Sequence, residues 1–346
     1  MPKWGIGLWL CVIALTRLSA QNTVDTTFIR QFTDRPQLTF EFAQRNQKID
    51  LVNPSNEKQI VSYAPNNRIN FITSFDYRWL SLSLGLFSID GSDVAQKGTT
   101  NQFALRFSIN SKRVWNSNFL QLYQGYYLSN PKVLPLWDPN QNIFPTRPDI
   151  STLTWFSNIY YCFSPESFSY RAALWQLERQ EKSAGSFLAG ASYRFNWIRS
   201  DESKTMIPLD LYADYAEVNR AVAVQQSTLA FHAGYVHTFV ARKYWYFTVF
   251  FMPGLAVENG FYKSDDLIQR SFESELAAAA ELRLVGGYNG DRFFCGMSGH
   301  AITYSGNRKA DLWINTSTSS ARLFAGYRFQ KVDRTKGPKL LRFFGL

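Results

Sequence analysis

RINFITSFDYRWLSLSLGLF, residues 68–87, changes the parity of its greasy positions halfway along. Ile69, Phe71, Thr73 and Phe75 occupy odd positions, whereas Leu80, Leu82, Leu84 and Leu86 occupy even ones, spaced by Ser81, Ser83 and Gly85. Successive side chains on a strand point to opposite faces, so each half reads as a strand with one apolar face. The register resets at Asp76-Tyr77-Arg78, and the stretch is therefore expected to be a hairpin. Whether its apolar face meets a protein core or lipid is decided by the rest of the chain.

The same alternation recurs. Phe103, Leu105, Phe107 and Ile109 alternate with Ala104, Arg106, Ser108 and Asn110; Leu229, Phe231, Ala233 and Tyr235 alternate with Ala230, His232 and Gly234. Leu209, Leu211, Ala213 and Tyr215 repeat it, as do Ala321, Leu323, Ala325, Tyr327 and Phe329 against Arg322, Phe324, Gly326, Arg328 and Gln330. One face is greasy throughout, and the other mixes charge, amide, hydroxyl and glycine. A helical membrane span needs about 18 or more apolar residues. The richest run of the chain after its first residues, YWYFTVFFMPGLAV at 244–257, is shorter, holds Pro253 and follows Arg242-Lys243. A transmembrane strand needs only about 9–11 residues, with aromatic girdles at its ends. The 29 Phe, 18 Tyr and 10 Trp supply those girdles.

The first twenty residues read as an export signal: Lys3, an apolar stretch from Ile6 to Leu15, then Leu18-Ser19-Ala20 as the processing site. Loss of Lys3 and Arg17 with that leader takes the net charge from +10 to +8. The charges are scattered, so a nucleic-acid partner has little support; anionic headgroups or polysaccharide suit the balance equally well. Cys162 and Cys295 lie in separate strand-like segments and read as small packed residues. His232, His237 and His300 form no spacing suited to a metal.

These features favour a closed antiparallel transmembrane β-barrel of the outer membrane over a secreted sandwich. An open edge in hydrocarbon would leave backbone groups unpaired, so the last strand is expected to pair with the first. The expected strands are 37–45, 58–76, 79–89, 100–110, 117–128, 150–162, 167–180, 185–197, 206–216, 225–239, 243–257, 270–287, 291–303 and 314–330, about fourteen in all, with twelve as the alternative. Residues 21–36 then form a periplasmic N-terminal segment, 37–330 the barrel and 331–346 a periplasmic tail. Short connections at 77–78, 111–116, 163–166, 240–242 and 288–290 are expected in the periplasm; 90–99, 129–149, 258–269 and 304–313 are expected outside, with 181–184 as a short outer turn. FESELAAAAELRLVGG, 272–287, suits a helix by propensity, yet period two places Glu273, Glu275, Glu281 and Arg283 on one face.

Candidate functional residues follow from the polar faces. The densest charge, FSYRAALWQLERQEKSAGSFLAG at 168–190, puts Arg171 and Arg179 on one face of its expected strand and Gln176 and Glu178 on the other. Arg171, Glu178, Arg179, Glu273, Glu275, Glu281 and Arg283 are the lumen or constriction candidates. They either neutralise one another as a brace or form a ligand constriction. The proline-rich 129–150 segment offers Trp137, Phe144 and Arg147 as loop contacts, against a plainly packed loop. FCGMSGH at 294–300 falls one residue short of a GxSxG elbow; Ser298 with His300, and Thr228 with His232, are the residues a hydrolase would use, and chance is the simpler account. Carboxylate pairs drawn from Glu273, Glu275, Asp210 and Asp214 carry little weight, because spacing along one strand does not fix the separation across two. No catalytic residue, metal ligand or cofactor is assigned. The partners expected are outer-membrane lipid, with lipopolysaccharide, small solutes or envelope proteins as alternatives, and the function is passage or binding of solutes or bracing of the envelope. A lipid- or glycan-modifying enzyme and a scaffold acting through 129–149 are the competing readings.

SYAPNNRINF at 62–71, LSLSLGLF at 80–87, KGTTNQFAL at 97–105, YQGYYLSN at 123–130, RPDI at 147–150, the block at 168–190 and GYVHTFV at 234–240 resemble DUF4421, a family of unknown function found in outer-membrane proteins of the Bacteroidetes. That resemblance implies an outer-membrane location and a barrel-like architecture. It implies no reaction and supplies no catalytic residues.

Overall fold

The computed structural model describes residues 25–331 apart from 47, 54, 91–92, 216–217, 266–268, 307–312 and 315–317. Its strands are β1 (Ile29–Gln31), β2 (Gln37–Asn46), β3 (Ile49–Asn53), β4 (Asn56–Ala64), β5 (Asn67–Tyr77), β6 (Leu80–Asp90), β7 (Asn101–Asn110), β8 (Val114–Leu128) and β9 (Thr146–Cys162). They continue as β10 (Glu178–Gln180), β11 (Ala184–Arg199), β12 (Ala221–Ala241), β13 (Trp245–Ser264), β14 (Gln269–Asn289), β15 (Phe293–Gly306), β16 (Trp313–Ile314) and β17 (Thr318–Arg328).

Twelve of them close a barrel in the order β2, β5, β6, β7, β8, β9, β11, β12, β13, β14, β15, β17, with β17 returning to β2 from Ser319↔Asn46 to Arg328↔Gln37. Every pairing is antiparallel. The smaller of the two expected counts therefore holds. The two segments that do not span are 167–180 and 206–216. β9 pairs directly with β11, from Leu188↔Cys162 to Arg199↔Ser151, so no wall position exists for 167–180. Residues 206–216 lie in the connection before β12, which contains a 3-10 turn at Leu209–Leu211. The 181–184 segment accordingly sits at the same end as 163–166, not on the outer side.

The opening hairpin forms as read, with Arg78 at φ 56° in the turn and a bulge between Phe71 and Ile72 against β6. Ile69 and Phe75 of β5 and Leu82 and Leu84 of β6 face out, with Phe75 at 46% and Leu82 at 44% exposure, while Ser81 and Ser83 are buried inside. The same division runs around the barrel: Phe231, Phe251, Leu255, Leu282, Met297 and Leu323 are exposed outward, and Glu281, Thr228 and Arg194 are buried inward. A continuous outward apolar belt on a sheet without edges is the surface of a membrane-spanning barrel, and the chain is an outer-membrane protein. Exposed Tyr161, Phe163, Phe239, Trp245, Phe293, Tyr327 and Phe329 form an aromatic girdle at the end with the short turns, which in such barrels faces the periplasm.

The helix-prone 272–287 stretch is strand, within β14. Pairing on both sides, with β13 and β15, overrides the propensity of its alanines. No helix among the described residues is long and apolar enough to cross a membrane. Cys162 and Cys295 are free thiols. The expectations for 1–20 and for 332–346 lie outside the described residues.

Candidate functional site

The turn end of the barrel is filled by the segment between β9 and β11. Ser169 caps a short helix, Tyr170–Leu174, its hydroxyl accepting the Ala172 N–H at 3.0 Å. Gln176, at φ 53°, then reverses the chain into β10, which pairs with β1 from the N-terminal side. Phe168, Tyr170, Ala173 and Leu174 bury against Trp115, Tyr160, Phe250, Val285 and Phe294 of the wall. Polar contacts fix the insert on all sides. Gln176 donates to the Tyr246 hydroxyl at 2.8 Å, Asn289 donates to the Glu178 carbonyl at 2.9 Å, and Arg328 Nε donates to the Gln176 carbonyl at 3.1 Å.

The charges predicted for 168–190 therefore brace this insert and do not line a wall strand. Arg171 pairs with Glu178, which also accepts from Ser169. Their expected placement on opposite strand faces fails because helix and reversed strand fold back on each other. Arg179 Nη1 donates to Asp291 Oδ1 at 2.9 Å in the turn between β14 and β15, and Arg179 also pairs with Glu181. Burial works to raise the Asp291 carboxyl, but the hydrogen bond and charge of Arg179, with Arg30 and Arg35, hold it below its ordinary value.

At the loop end, the β3–β4 hairpin folds over the connection 200–220. Ile49, Leu51, Val61 and Tyr63 bury against Met206, Ile207, Leu211, Tyr215 and Val218. The Tyr63 hydroxyl donates to the Met206 carbonyl at 2.7 Å, and Tyr215 donates to the Gln59 carbonyl at 2.9 Å. Arg147, a predicted loop contact, is part of this construction. It grips Asp149 through Nε and Nη2 at 2.9 and 2.7 Å and donates to the Thr205 carbonyl at 2.9 Å. Trp137 and Phe144 are packed within the loop, their rings 6.3 Å apart, with Phe144 against Tyr127 at 5.5 Å. All three predicted loop residues thus have structural partners.

Between insert and loop end lies a chamber of about 200 Å³, more than an order of magnitude beyond what one water needs. Its floor is Leu174 and Trp175 of the insert; it runs to Lys48, just before β3, and Thr318 at the start of β17. Arg45, Lys48, Arg106, Arg194, Arg283 and Arg322 line it, and among the described residues no carboxylate does. The acids stand behind: Glu41 accepts from Arg322 at 3.1 Å and lies 3.9 Å from Arg106, while Glu281 is bound by Arg283, Tyr160 and His300. Glu281 and Arg283, predicted for the lumen, do face it. The side chains of Glu273 and Glu275 lie outside those described.

The hydrolase candidates are not assembled as a catalytic group. Ser298 accepts from Arg322 Nε at 2.6 Å, and His300 Nε2 is turned to Glu281 at 3.1 Å. His232 meets Ser192 instead of Thr228, at 3.0 Å, but neither Ser192 nor His232 lines the chamber. Thr228 donates to Glu258 at 3.2 Å. Among the described residues no group of His, Cys, Asp and Glu comes together to hold a metal ion. The residues the sequence reading missed are Arg45, Arg106, Arg194 and Arg322. Each stood on the polar parity of its strand, which was the available signal; that four strands aim them at one volume was not.

No curated protein matches the chain. Among solved structures it is similar, at 8% identity and a TM-score of 0.34, to the outer membrane protease OmpT from Escherichia coli, over 86% of this chain and 97% of that one. It is also similar to the translocator domain of the autotransporter NalP from Neisseria meningitidis, at 8% identity, TM-score 0.30 and coverage of 94% and 96%. A third, the toluene transporter TodX of P. putida, has 8% identity, TM-score 0.28 and coverage of 86% and 90%. Likenesses this faint transfer nothing to the chain. The family model is different in kind, because it matches residues 23–329 and so takes in the barrel, the insert and the chamber together. The chain belongs to the DUF4421 family, a domain of unknown function.

Proposed function

We propose that the protein is a stoppered outer-membrane barrel that holds a small solute in its lumen, acting by binding and not by catalysis or open diffusion. The observation that carries this reading is the stacking of a chamber, lined by arginines, hydroxyls and amides among aromatic and aliphatic groups, on a floor closed by the 164–183 insert. An open porin would need an aqueous path past Trp175 and Leu174, where Trp115, Tyr170, Phe250 and Phe294 are packed. A hydrolase acting through Ser298 and His300 would need that nucleophile and base in mutual reach at the chamber wall. Ser298 and His300 are instead each committed to a charged neighbour.

Two measurements test the reading. Purified protein reconstituted in planar bilayers is expected to show no steady conductance, and an ohmic pore in the unmodified protein would sink it. Ser320→Cys, on β17 and lining the chamber near the loop end, is expected to react with a membrane-impermeant thiol reagent added outside intact cells, with the unmodified protein as control. Complete protection of that thiol would mean that the chamber is sealed from outside and takes no external solute.

A further inference from the structure

The chamber has two unlike walls. On one, Arg45 of β2, Arg106 of β7 and Arg322 of β17 converge, with Arg283 of β14 beside them and Lys48 at the rim. Among the described residues, Glu41 pairs with Arg106 and Arg322, and Glu281 pairs with Arg283. Arg45 makes no ion pair to a carboxylate among the described residues, and its buried Nη1 has no hydrogen-bond partner there. Its guanidinium lies 4.2 Å from the centre of the Phe119 ring, and that of Arg106 approaches the same ring at 5.9 Å. Like charges gathered in a partly desolvated space repel one another, and a lumen ring of this sign concentrates anions.

The other wall is mainly uncharged, with Arg194 of β11 as its cation among the described residues. Gln121 of β8, Thr152, Thr154 and Asn158 of β9, and Asn196 of β11 present amides and hydroxyls, with Thr154 donating to Asn196 Oδ1 at 3.0 Å. Such groups both donate and accept, as a ligand rich in hydroxyls requires. Arginine forks suit the oxygens of a phosphoryl or carboxylate group.

We infer that the chamber takes a small hydroxylated anion of the sugar-phosphate or sugar-acid class, its anionic group on the Arg45–Arg106–Arg322 wall and its hydroxyls on the threonine–asparagine wall. This assignment rests on the reading of the lumen as a solute chamber and names the ligand class of that same site.

Isothermal titration of the folded protein in detergent, with glucose 6-phosphate, glucuronate, glucose and inorganic phosphate as probes, tests it. Glucose 6-phosphate or glucuronate is expected to bind, less tightly as salt is raised, and glucose is not. Arg45→Gln, which orphans no carboxylate, is expected to weaken binding about tenfold or more, and Arg106→Gln likewise. Lys132→Gln, outside the chamber, leaves affinity unchanged. Heat-modifiable gel migration verifies that each variant is folded; if Arg45→Gln fails this check, Arg106→Gln and the salt dependence decide. Glucose binding as tightly as its phosphate overturns the anionic assignment, and inorganic phosphate binding as tightly as the sugar phosphate overturns the hydroxylated one. Absence of binding by every probe at millimolar concentration, with Ser320→Cys reactive from outside, overturns the ligand class and leaves the chamber reading standing. Absence of binding with that thiol protected removes both.

Discussion

Glu178 shows how much of the insert's position hangs on single side chains. It is buried, accepts from Arg171 and Ser169, and its carbonyl accepts from Asn289 of the wall. Breaking a buried ion pair from one side leaves an uncompensated charge, which costs about 3–5 kcal/mol. Glu178→Ala is therefore expected to loosen the insert by about that amount, read as a lower urea midpoint of tryptophan emission, since Trp175 lies in the segment that moves. An unchanged midpoint would mean that apolar packing alone holds the insert. Asp291 adds a pH dependence of known sign. Its carboxyl is held below the ordinary value in the folded state, so its contribution is present above the unfolded pKa and is lost as pH falls through the folded one. The Arg179–Asp291 contact should hold at neutral pH and weaken on acidification below the usual carboxylate range. Asp291→Asn should remove that part of the acid response; identical emission profiles for the two proteins would show that the contact contributes nothing. The Asp291 side chain is 47% exposed, so solvent screens the pair and the expected effect is small.

At the scale of the strand, alternation told inside from outside well but did not tell a wall strand from a segment folded into the lumen. β7, β12, β14 and β17 have the faces their sequences announce, down to Glu281 and Arg283 pointing inward from a helix-prone stretch. The 167–180 segment has comparable spacing, yet Ser169 at its start is a helix cap and Gln176 adopts a positive φ. Period two over so short a segment is weak information, and the direct pairing of β9 with β11 settles the matter only in three dimensions. Leu209, Leu211 and Tyr215 misled in the same way, because their alternation serves a cap over the β3–β4 hairpin and not a wall. The faces themselves make a prediction. Leu282, exposed outward between β13 and β15, should not tolerate a charge: Leu282→Arg is expected to destabilise the barrel by about 2–4 kcal/mol if it lies near the bilayer midplane. Heat-modifiable migration over a urea series checks this. Indifference to the substitution would place Leu282 outside hydrocarbon and undo the assignment of the belt.

The molecule as a whole separates two tasks, a wall that satisfies its backbone in lipid and an insert that closes the wall's interior. The wall's hydrogen bonding is complete without the insert, since β9 and β11 are neighbours in the ladder and the 164–183 segment is their connection. Closure through β17 and β2 does not involve it either. The sequence could announce this wall because each strand's faces are local, whereas the chamber depends on register among β2, β7, β11 and β17, which only the closed sheet defines. Independence of the two parts can be tested directly. Replacing residues 167–181 by a short flexible linker is expected to leave a heat-modifiable barrel with reduced stability, because the connection remains and only the contacts of the insert are lost. The same change takes Trp175 and Leu174 from the chamber floor, so the variant should conduct in planar bilayers where the unmodified protein does not. With Arg45, Arg106 and Arg322 left facing the lumen, its current should prefer anions, as a shifted reversal potential in a salt gradient would report. A variant that folds and stays silent would mean that the loop-end cap, not the insert, closes the barrel. One that conducts without ionic preference would mean that Glu41 and Glu281 neutralise the arginines more fully than their contacts imply.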